Sequence, residues 1–179
     1  MILKLLIIVG IALLGFTIAA AMRPSEFRIS RSALMSAPPD VVFPHVNELR
    51  NWEAWSPWAK LDPKATTSYE GPQSGTGAAF AWAGNQKIGE GRMTIIESLP
   101  SQSIRFRLDF KKPFKGTNTA DFDFMPENGQ TRVTWTMSGH SAFIPKVIGM
   151  FINCDKMVGD QFEKGLADLN KACGEVVRR

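Results

Sequence analysis

Few residues of this 179-residue chain combine the types and the spacing that metal or nucleophilic chemistry requires. The two histidines, His45 and His140, have no cysteine or carboxylate at metal-ligand spacing, so the sequence predicts no metal site. The chain contains no G-x-S-x-G nucleophile elbow. Its glycine-rich stretches lack the lysine and the strand-to-helix context of a phosphate loop. We therefore predict no cofactor.

Glu97 is the main candidate for acid or base catalysis. In the segment GEGRMTIIES it follows Met93 and Ile95 at steps of two, which in a strand puts the three side chains on one face. A carboxyl group buried on an apolar face would have a raised pKa and would suit general acid catalysis. Glu97 would equally fit the solvent end of the strand, and both alternatives stay open. Further polar side chains that could reach a pocket are Tyr69, Arg31 and Asp155.

Three of the five tryptophans, Trp52, Trp55 and Trp58, are spaced by three in the segment NWEAWSPWAKLDP. On a helix this spacing spreads the indoles over about 120° of one face. Three interpretations remain open. The indoles could close a core, line the entrance of a pocket, or lie at a membrane interface, where tryptophan is enriched.

The segments that position these residues predict an antiparallel sheet with one apolar face. In QSIRFRLDF, the side chains of Ile104, Phe106, Leu108 and Phe110 fall on one side and charges on the other. The same alternation marks EFRISRSALM, GAAFAWAG, TADFDFMP and TRVTWTMSG, with turn residues between them. Arginines on one strand and aspartates on the next predict cross-strand ion pairs on the solvent side.

A long amphipathic helix is predicted from about Pro145 to Lys171, because apolar residues recur there at threes and fours. Its apolar stripe must cover the apolar face of the sheet. The two cysteines, Cys154 and Cys173, fall on this helix about 28 Å apart, at about 1.5 Å per residue. A disulfide needs Cα atoms within about 7 Å, so we predict that they do not bridge.

The N-terminal segment is apolar and uncharged from Leu5 to Met22. Its length favours a membrane anchor through residues 5–22, whereas Ala19-Ala20-Ala21 would suit a cleaved signal peptide, which would export the domain. The positive-inside rule slightly favours a cytoplasmic domain. We therefore divide the chain into an anchor, residues 1–23, and one globular domain, residues 25–175. The net charge of +4 is scattered, which argues against nucleic-acid binding.

The order of elements resembles the helix-grip fold of the START and pollen-allergen superfamily. The segments that carry this likeness are APPDVVFPHVNELRNWEAWSPWAKLDP, GPQSGTGAAFAWAGN, GEGRMTI, FKGTNTADFDF, TRVTWTMSG and DKMVGDQFEKGLADL. More closely, the chain is similar to the bacterial SRPBCC group described as polyketide cyclase/dehydrase and lipid transport, in which an N-terminal anchor is common. The resemblance implies an α+β fold with a curved antiparallel sheet of six or seven strands around a long C-terminal helix.

An aromatic-lined space between sheet and helix would be a typical small-molecule pocket. We predict that a lipid or other hydrophobic small molecule binds there without chemistry. The alternatives are a cyclase- or dehydrase-like enzyme, which the resemblance implies, and a solid-cored interaction domain. The sequence does not indicate an oligomeric state. The candidate ligand-binding residues are Trp55, Trp58, Tyr69, Phe80, Trp82, Phe106, Phe110, Phe122, Trp135, Met137 and Phe151.

Overall fold

The computed structural model describes residues 1–177. The helices are α1 (Ile2–Ala21), α2 (Pro39–Asn47), α3 (Trp52–Trp55), α4 (Phe143–Ile148) and α5 (Cys154–Val177), with a 3₁₀ turn at Leu49–Asn51. The strands are β1 (Glu26–Met35), β2 (Thr66–Glu70), β3 (Ala79–Ala83), β4 (Glu90–Leu99), β5 (Ser103–Lys112), β6 (Gly116–Glu127) and β7 (Gln130–His140).

The strands form one antiparallel sheet of seven in the order β1-β7-β6-β5-β4-β3-β2. Neighbours in the chain pair as hairpins from β2 to β7. The first strand then closes the other edge, because β1 pairs with β7 from Glu26 opposite His140 to Met35 opposite Thr131. The predicted α+β architecture of a seven-stranded antiparallel sheet with a long C-terminal helix is confirmed.

The predicted C-terminal helix is broken where the sequence pattern suggested one continuous helix. Helix α4 ends at Ile148, and α5 begins only at Cys154. The break has a local cause, because the side-chain oxygen of Asn153 accepts a hydrogen bond of 3.0 Å from the backbone N–H of Lys156. This is the bond that an N-cap residue makes with the third residue of a new helix. Cys154 and Cys173 both lie on α5 and are free thiols, as predicted.

A β-bulge in β4 reverses the alternation that the sequence suggested. Ile95 pairs with Phe106, and Glu97 pairs with the next residue back, Arg105, so Ile96 is left as an extra residue. One extra residue moves every later side chain to the opposite face of the strand. The side chain of Glu97 therefore leaves the apolar face that Met93 and Ile95 share.

The core lies between the inner face of the sheet and the buried stripe of α5. Phe162, Leu166, Leu169 and Cys173 of α5 are all buried, and α5 packs mainly on β1 and α3. Helix α1 stands away from this core, and nearly all of its side chains are exposed. Its main contacts with other elements are made with α4 and the turn that follows α4.

Candidate functional site

An aromatic cluster fills the space between the sheet and α5. Trp135 of β7 stacks on Phe162 of α5, with 4.1 Å between ring centroids and 7° between planes, and it lies 4.7 Å from Phe122. Trp55 lies 5.7 Å from Trp135. Such distances are those of directly contacting aromatic pairs. Trp55, Phe106, Phe122 and Trp135 are at most 3% exposed, so the rings pack against one another at the place where the sequence suggested a cavity.

The three spaced tryptophans close this cluster. The indole N–H groups of Trp52 and Trp55 donate hydrogen bonds of 2.9 and 3.0 Å to the backbone carbonyls of Val46 and His45. Trp58 is half-buried and packs edge-on against Trp135 at 5.6 Å. These contacts fit the interpretation that the tryptophans close a core, because two of the rings are hydrogen-bonded to the backbone and the third packs on Trp135.

Glycine at position 165 brings α5 close enough for this stacking. A Cβ atom there would lie 2.9 Å from the ring of Trp135 and 3.1 Å from Pro57. Real Cβ atoms essentially never lie as close as the first of these contacts, and the second is tighter than most, so a larger residue would displace the Trp135 ring or push α5 away from the sheet. The tight packing is therefore encoded in both the sheet and the helix.

A second aromatic group remains partly open. Tyr69 of β2, Phe80 and Trp82 of β3, and Phe110 of β5 form a row on the inner face of the sheet, with 5.2, 5.9 and 5.9 Å between successive ring centroids. We call these four residues the aromatic ladder. All four are half-buried, as is Met137. The ladder extends the core face towards the β2 edge, where a flat apolar molecule could lie against the rings.

The ladder depends on a glycine in β4. A Cβ atom on Gly91 would lie 2.6 Å from the ring of Trp82 and 2.9 Å from the carbonyl oxygen of Asp109. The indole N–H of Trp82 also donates a 3.0 Å hydrogen bond to the carbonyl of Ile88. Trp82 is thus held flat against the sheet, with its ring crossing β4 towards Phe110.

At one end of the ladder a small cavity of about 400 Å³ lies beside Tyr69 and Arg50. The guanidinium of Arg50 sits 4.2 Å from the centroid of the Tyr69 ring, a cation–π contact. Burial raises the pKa of the Tyr69 phenol, and the nearby carboxylate of Glu53 raises it further. The phenol is therefore neutral at physiological pH and can donate a hydrogen bond.

A larger cavity of about 660 Å³ lies at the opposite side of the fold, where the end of α1 meets β1, α4 and the start of α5. Its lining combines two basic residues, Arg23 and Lys146, and one acidic residue, Glu26, with apolar residues that include Phe27 and Phe151. A guanidinium N–H of Arg23 donates a 2.7 Å hydrogen bond to the carbonyl of Gly149, which closes one wall. Such a lining suits an amphipathic molecule with an anionic group.

Two of the predicted site residues are placed away from the inner face. Because of the bulge in β4, Glu97 is about half exposed and pairs with Arg105 at 3.4 Å, so it is not a buried acid. Arg105 also pairs with Asp121 at 2.7 Å, one of the predicted cross-strand ion pairs. Phe151 falls in the turn between α4 and α5 rather than on a helix stripe. It is 77% exposed and does not line the space beneath the sheet.

Arg31 and Asp155, the other polar candidates, form an ion pair of 2.9 Å, and Arg31 also pairs with Glu163 at 3.0 Å. The hydrogen bond from Arg31 holds the pKa of Asp155 below its usual value. The guanidinium occupies the space over Gly159, where any Cβ atom would collide with it. This arrangement joins β1 to the first turns of α5, so its evident role is to position that helix.

The histidines do not form a site with other titratable groups. Among the residues that the structure describes, no three His, Cys, Asp or Glu side chains are placed to hold a metal ion. Burial lowers the pKa of His45, whose backbone carbonyl accepts the hydrogen bond from Trp55. His140 lies exposed at the end of β7, 3.4 Å from Glu26.

Comparisons with known proteins agree with this architecture. A family model described as polyketide cyclase/dehydrase and lipid transport matches residues 26–174. No curated protein matches the chain.

Solved structures share the fold at low identity. A protein from Nitrosospira multiformis is 19% identical with a TM-score of 0.60, over 86% of this chain and all of that one. A protein from Chromobacterium violaceum is 15% identical with a TM-score of 0.58, over 84% and 98% of the two chains. DynU16, from the dynemicin biosynthetic locus, is 14% identical with a TM-score of 0.55, over 80% of this chain and 46% of that one. At these identities the likeness shows the fold alone, and the predicted helix-grip fold is confirmed.

Proposed function

Because the chain belongs to the polyketide cyclase/dehydrase and lipid transport family, we propose that it binds a lipid or another hydrophobic small molecule while α1 tethers it to a membrane. Helix α1 has 20 residues with a mean hydropathy of 2.6 and is long and apolar enough to cross a bilayer. A signal sequence would have the same properties, and cleavage is the alternative. Arg23, Arg28 and Arg31 follow the segment and Lys4 precedes it, which slightly favours the cytoplasmic side for the domain.

The observation that carries this proposal is the aromatic ladder. Its four rings are half-buried on the inner face of the sheet, whereas the rings of the aromatic cluster are covered by one another and have almost no exposed surface left for a ligand. Covering the ladder with an acyl chain or a flat polycyclic molecule would remove apolar surface from water. Each CH₂ group buried contributes about 0.8 kcal/mol, from which the cost of association must be subtracted.

Enzymatic activity of the cyclase or dehydrase type is an alternative that would use the same surface. It would need a proton donor beside the ligand, and the neutral phenol of Tyr69 is the group on the ladder that could supply one. Phe110 and Trp82 would then orient the reacting chain, which accounts for much of the rate gain in such reactions.

A solid-cored interaction domain is a second candidate function, and the aromatic cluster favours it. Trp135 and Phe162 stack at 4.1 Å where a carrier of this architecture would have its cavity. The domain would then act through its surface, with no small-molecule ligand.

The test is a binding titration with the full chain in detergent micelles, using a fluorescent fatty acid and, separately, a fluorescent anthraquinone. Phe110→Ala should weaken binding about 5- to 30-fold, because it removes roughly 1–2 kcal/mol of apolar contact. Phe114→Ala is the matched control, because Phe114 lies exposed in the turn after β5.

The outcomes separate the candidates. Weaker binding of only one probe by Phe110→Ala would identify the ligand class. Equal affinities for Phe110→Ala and wild type would remove the ladder as the site. If wild type binds neither probe, the solid-cored interaction domain becomes the better description.

A further inference from the structure

Helix α4 and the turn that follows it expose an unusual concentration of large apolar side chains. Phe143, Ile144, Phe151 and Ile152 are 46%, 57%, 77% and 46% exposed. Single exposed apolar residues are normal on a protein surface, but a contiguous patch marks a contact with a partner or a membrane. We call residues 143–153 the α4 segment.

The α4 segment lies against the side of α1 rather than beyond its end. The ring of Phe151 stacks on Phe16 of α1, with 6.1 Å between centroids and 29° between planes. Arg23, just after α1, fixes the same turn through its bond to the carbonyl of Gly149. Phe16 precedes the last residue of α1 by five positions, which is about 7.5 Å along a helix axis.

We propose that the α4 segment inserts into the membrane interface beside α1, as a second membrane contact that fixes the orientation of the domain. The inference rests on the proposed tether. If α1 crosses the bilayer with its end at the interface, the contact with Phe16 carries Phe151 about 7.5 Å towards the hydrocarbon. Interfacial helices bury their apolar faces to a depth of about 5–10 Å. The contact geometry and the expected depth therefore agree.

The charges beside the segment fit a lipid surface better than an apolar protein partner. Arg23, Lys146 and one carboxylate, that of Glu26, line the cavity of about 660 Å³ between the end of α1 and α4, so cations outnumber anions there. In the proposed orientation both cations lie at the level of the lipid headgroups, where phosphates can meet them. An apolar patch bordered by cations is the pattern of an element that lies on a membrane.

Spin labels in the full chain, reconstituted into vesicles of phosphatidylcholine and phosphatidylglycerol, test this orientation. Cys154→Ser removes the accessible thiol, and buried Cys173 stays. Labels are placed by Ile152→Cys and, as a second site, by Ile144→Cys. A third label, at Leu13→Cys within α1, reports whether α1 lies in the lipid. Met125→Cys, 65% exposed near the other end of the sheet, is the aqueous control.

The readout is the collision rate of each label with oxygen, which concentrates in lipid, relative to a water-soluble nickel chelate. We expect this ratio to be several-fold higher at positions 152 and 144 than at 125. If 152 and 144 match 125 while 13 reports lipid, the tether stands and the second contact is wrong. If both reagents are excluded from 152 and 144, a protein or a second copy of the chain covers the segment, and the inference is also overturned. If 13 is aqueous, the tether itself is wrong.

Discussion

Replacing Trp135 with alanine distinguishes a packed core from the wall of a ligand cavity. Trp135 is 3% exposed, stacks on Phe162 and contacts four other aromatic rings, those of Trp52, Trp55, Trp58 and Phe122. If the cluster is packed as the structure shows, the substitution removes stability. If instead the ring lined an open cavity, the substitution would mainly change ligand affinity.

Two independent estimates of the effect agree. A buried tryptophan removes roughly 200 Å² from water, which at about 25 cal/mol per Å² corresponds to ~5 kcal/mol. Measured substitutions of buried phenylalanine or tryptophan by alanine cost about 3–5 kcal/mol, because the surroundings collapse only partly into the void. We therefore expect Trp135→Ala to lower the free energy of unfolding by about 4 kcal/mol, a large share of the total for a domain of this size.

Urea unfolding of the full chain in detergent, followed by circular dichroism, measures this loss. Trp135→Phe should lose less, because it keeps a ring against Phe162, and exposed Phe114→Ala should change stability by less than about 0.5 kcal/mol. Added indole should partly restore Trp135→Ala, since an apolar void of this kind can bind an aromatic molecule. A loss below about 1 kcal/mol, with weaker probe binding, would refute the packed core.

Three further predictions address local contacts. Gly91→Ala should cost about 1–3 kcal/mol and weaken probe binding, because the new methyl group displaces Trp82; unchanged urea unfolding would contradict this contact. Burial raises the pKa of Cys173 to about 11 from 9.0. This thiol should therefore resist Ellman's reagent at pH 8, while the partly exposed Cys154 reacts. The free energy of unfolding should fall between pH 9 and 11, because the thiol ionises in the unfolded chain before it does in the folded one. The pKa of Asp155 is lowered by Arg31 and should return towards its usual value of 3.8 in Arg31→Gln, which NMR titration measures. In the wild type, this carboxylate stabilises the fold at pH values above its unfolded pKa. That stabilisation is lost as the pH falls through its folded pKa.

The sheet could be predicted from the sequence because its alternation is nearly uninterrupted. In β5, the residues Ile104, Phe106, Leu108 and Phe110 lie at steps of two, and the strand is observed from Ser103 to Lys112. Such a pattern has one solution, since a shift of one residue would expose the whole apolar face. The aromatic composition of the inner face followed from the same alternation.

The misplaced residues come from single local events that periodicity does not record. One extra residue at Ile96 turned Glu97 outward, and one side-chain cap at Asn153 began a new helix, which left Phe151 in the turn before it. The asparagine was a readable capping signal, because Asn is among the strongest N-cap residues. The filling of the space beneath the sheet depends on ring orientations and on Gly165, which a count of aromatic residues cannot give.

The sheet register places the Phe110 end of the aromatic ladder and the start of the α4 segment at the same end of the strands. Gly139 of β7 lies opposite Asn118 of β6, and Asn118 lies opposite Leu108 of β5. Phe110 is two residues further along β5, about 7 Å beyond that level at roughly 3.4 Å per residue. That is the end from which the chain leaves β7 for α4. Two strand spacings, or about 10 Å, separate β7 from β5, so a molecule leaving a membrane at the α4 segment would meet the Phe110 end of the ladder first.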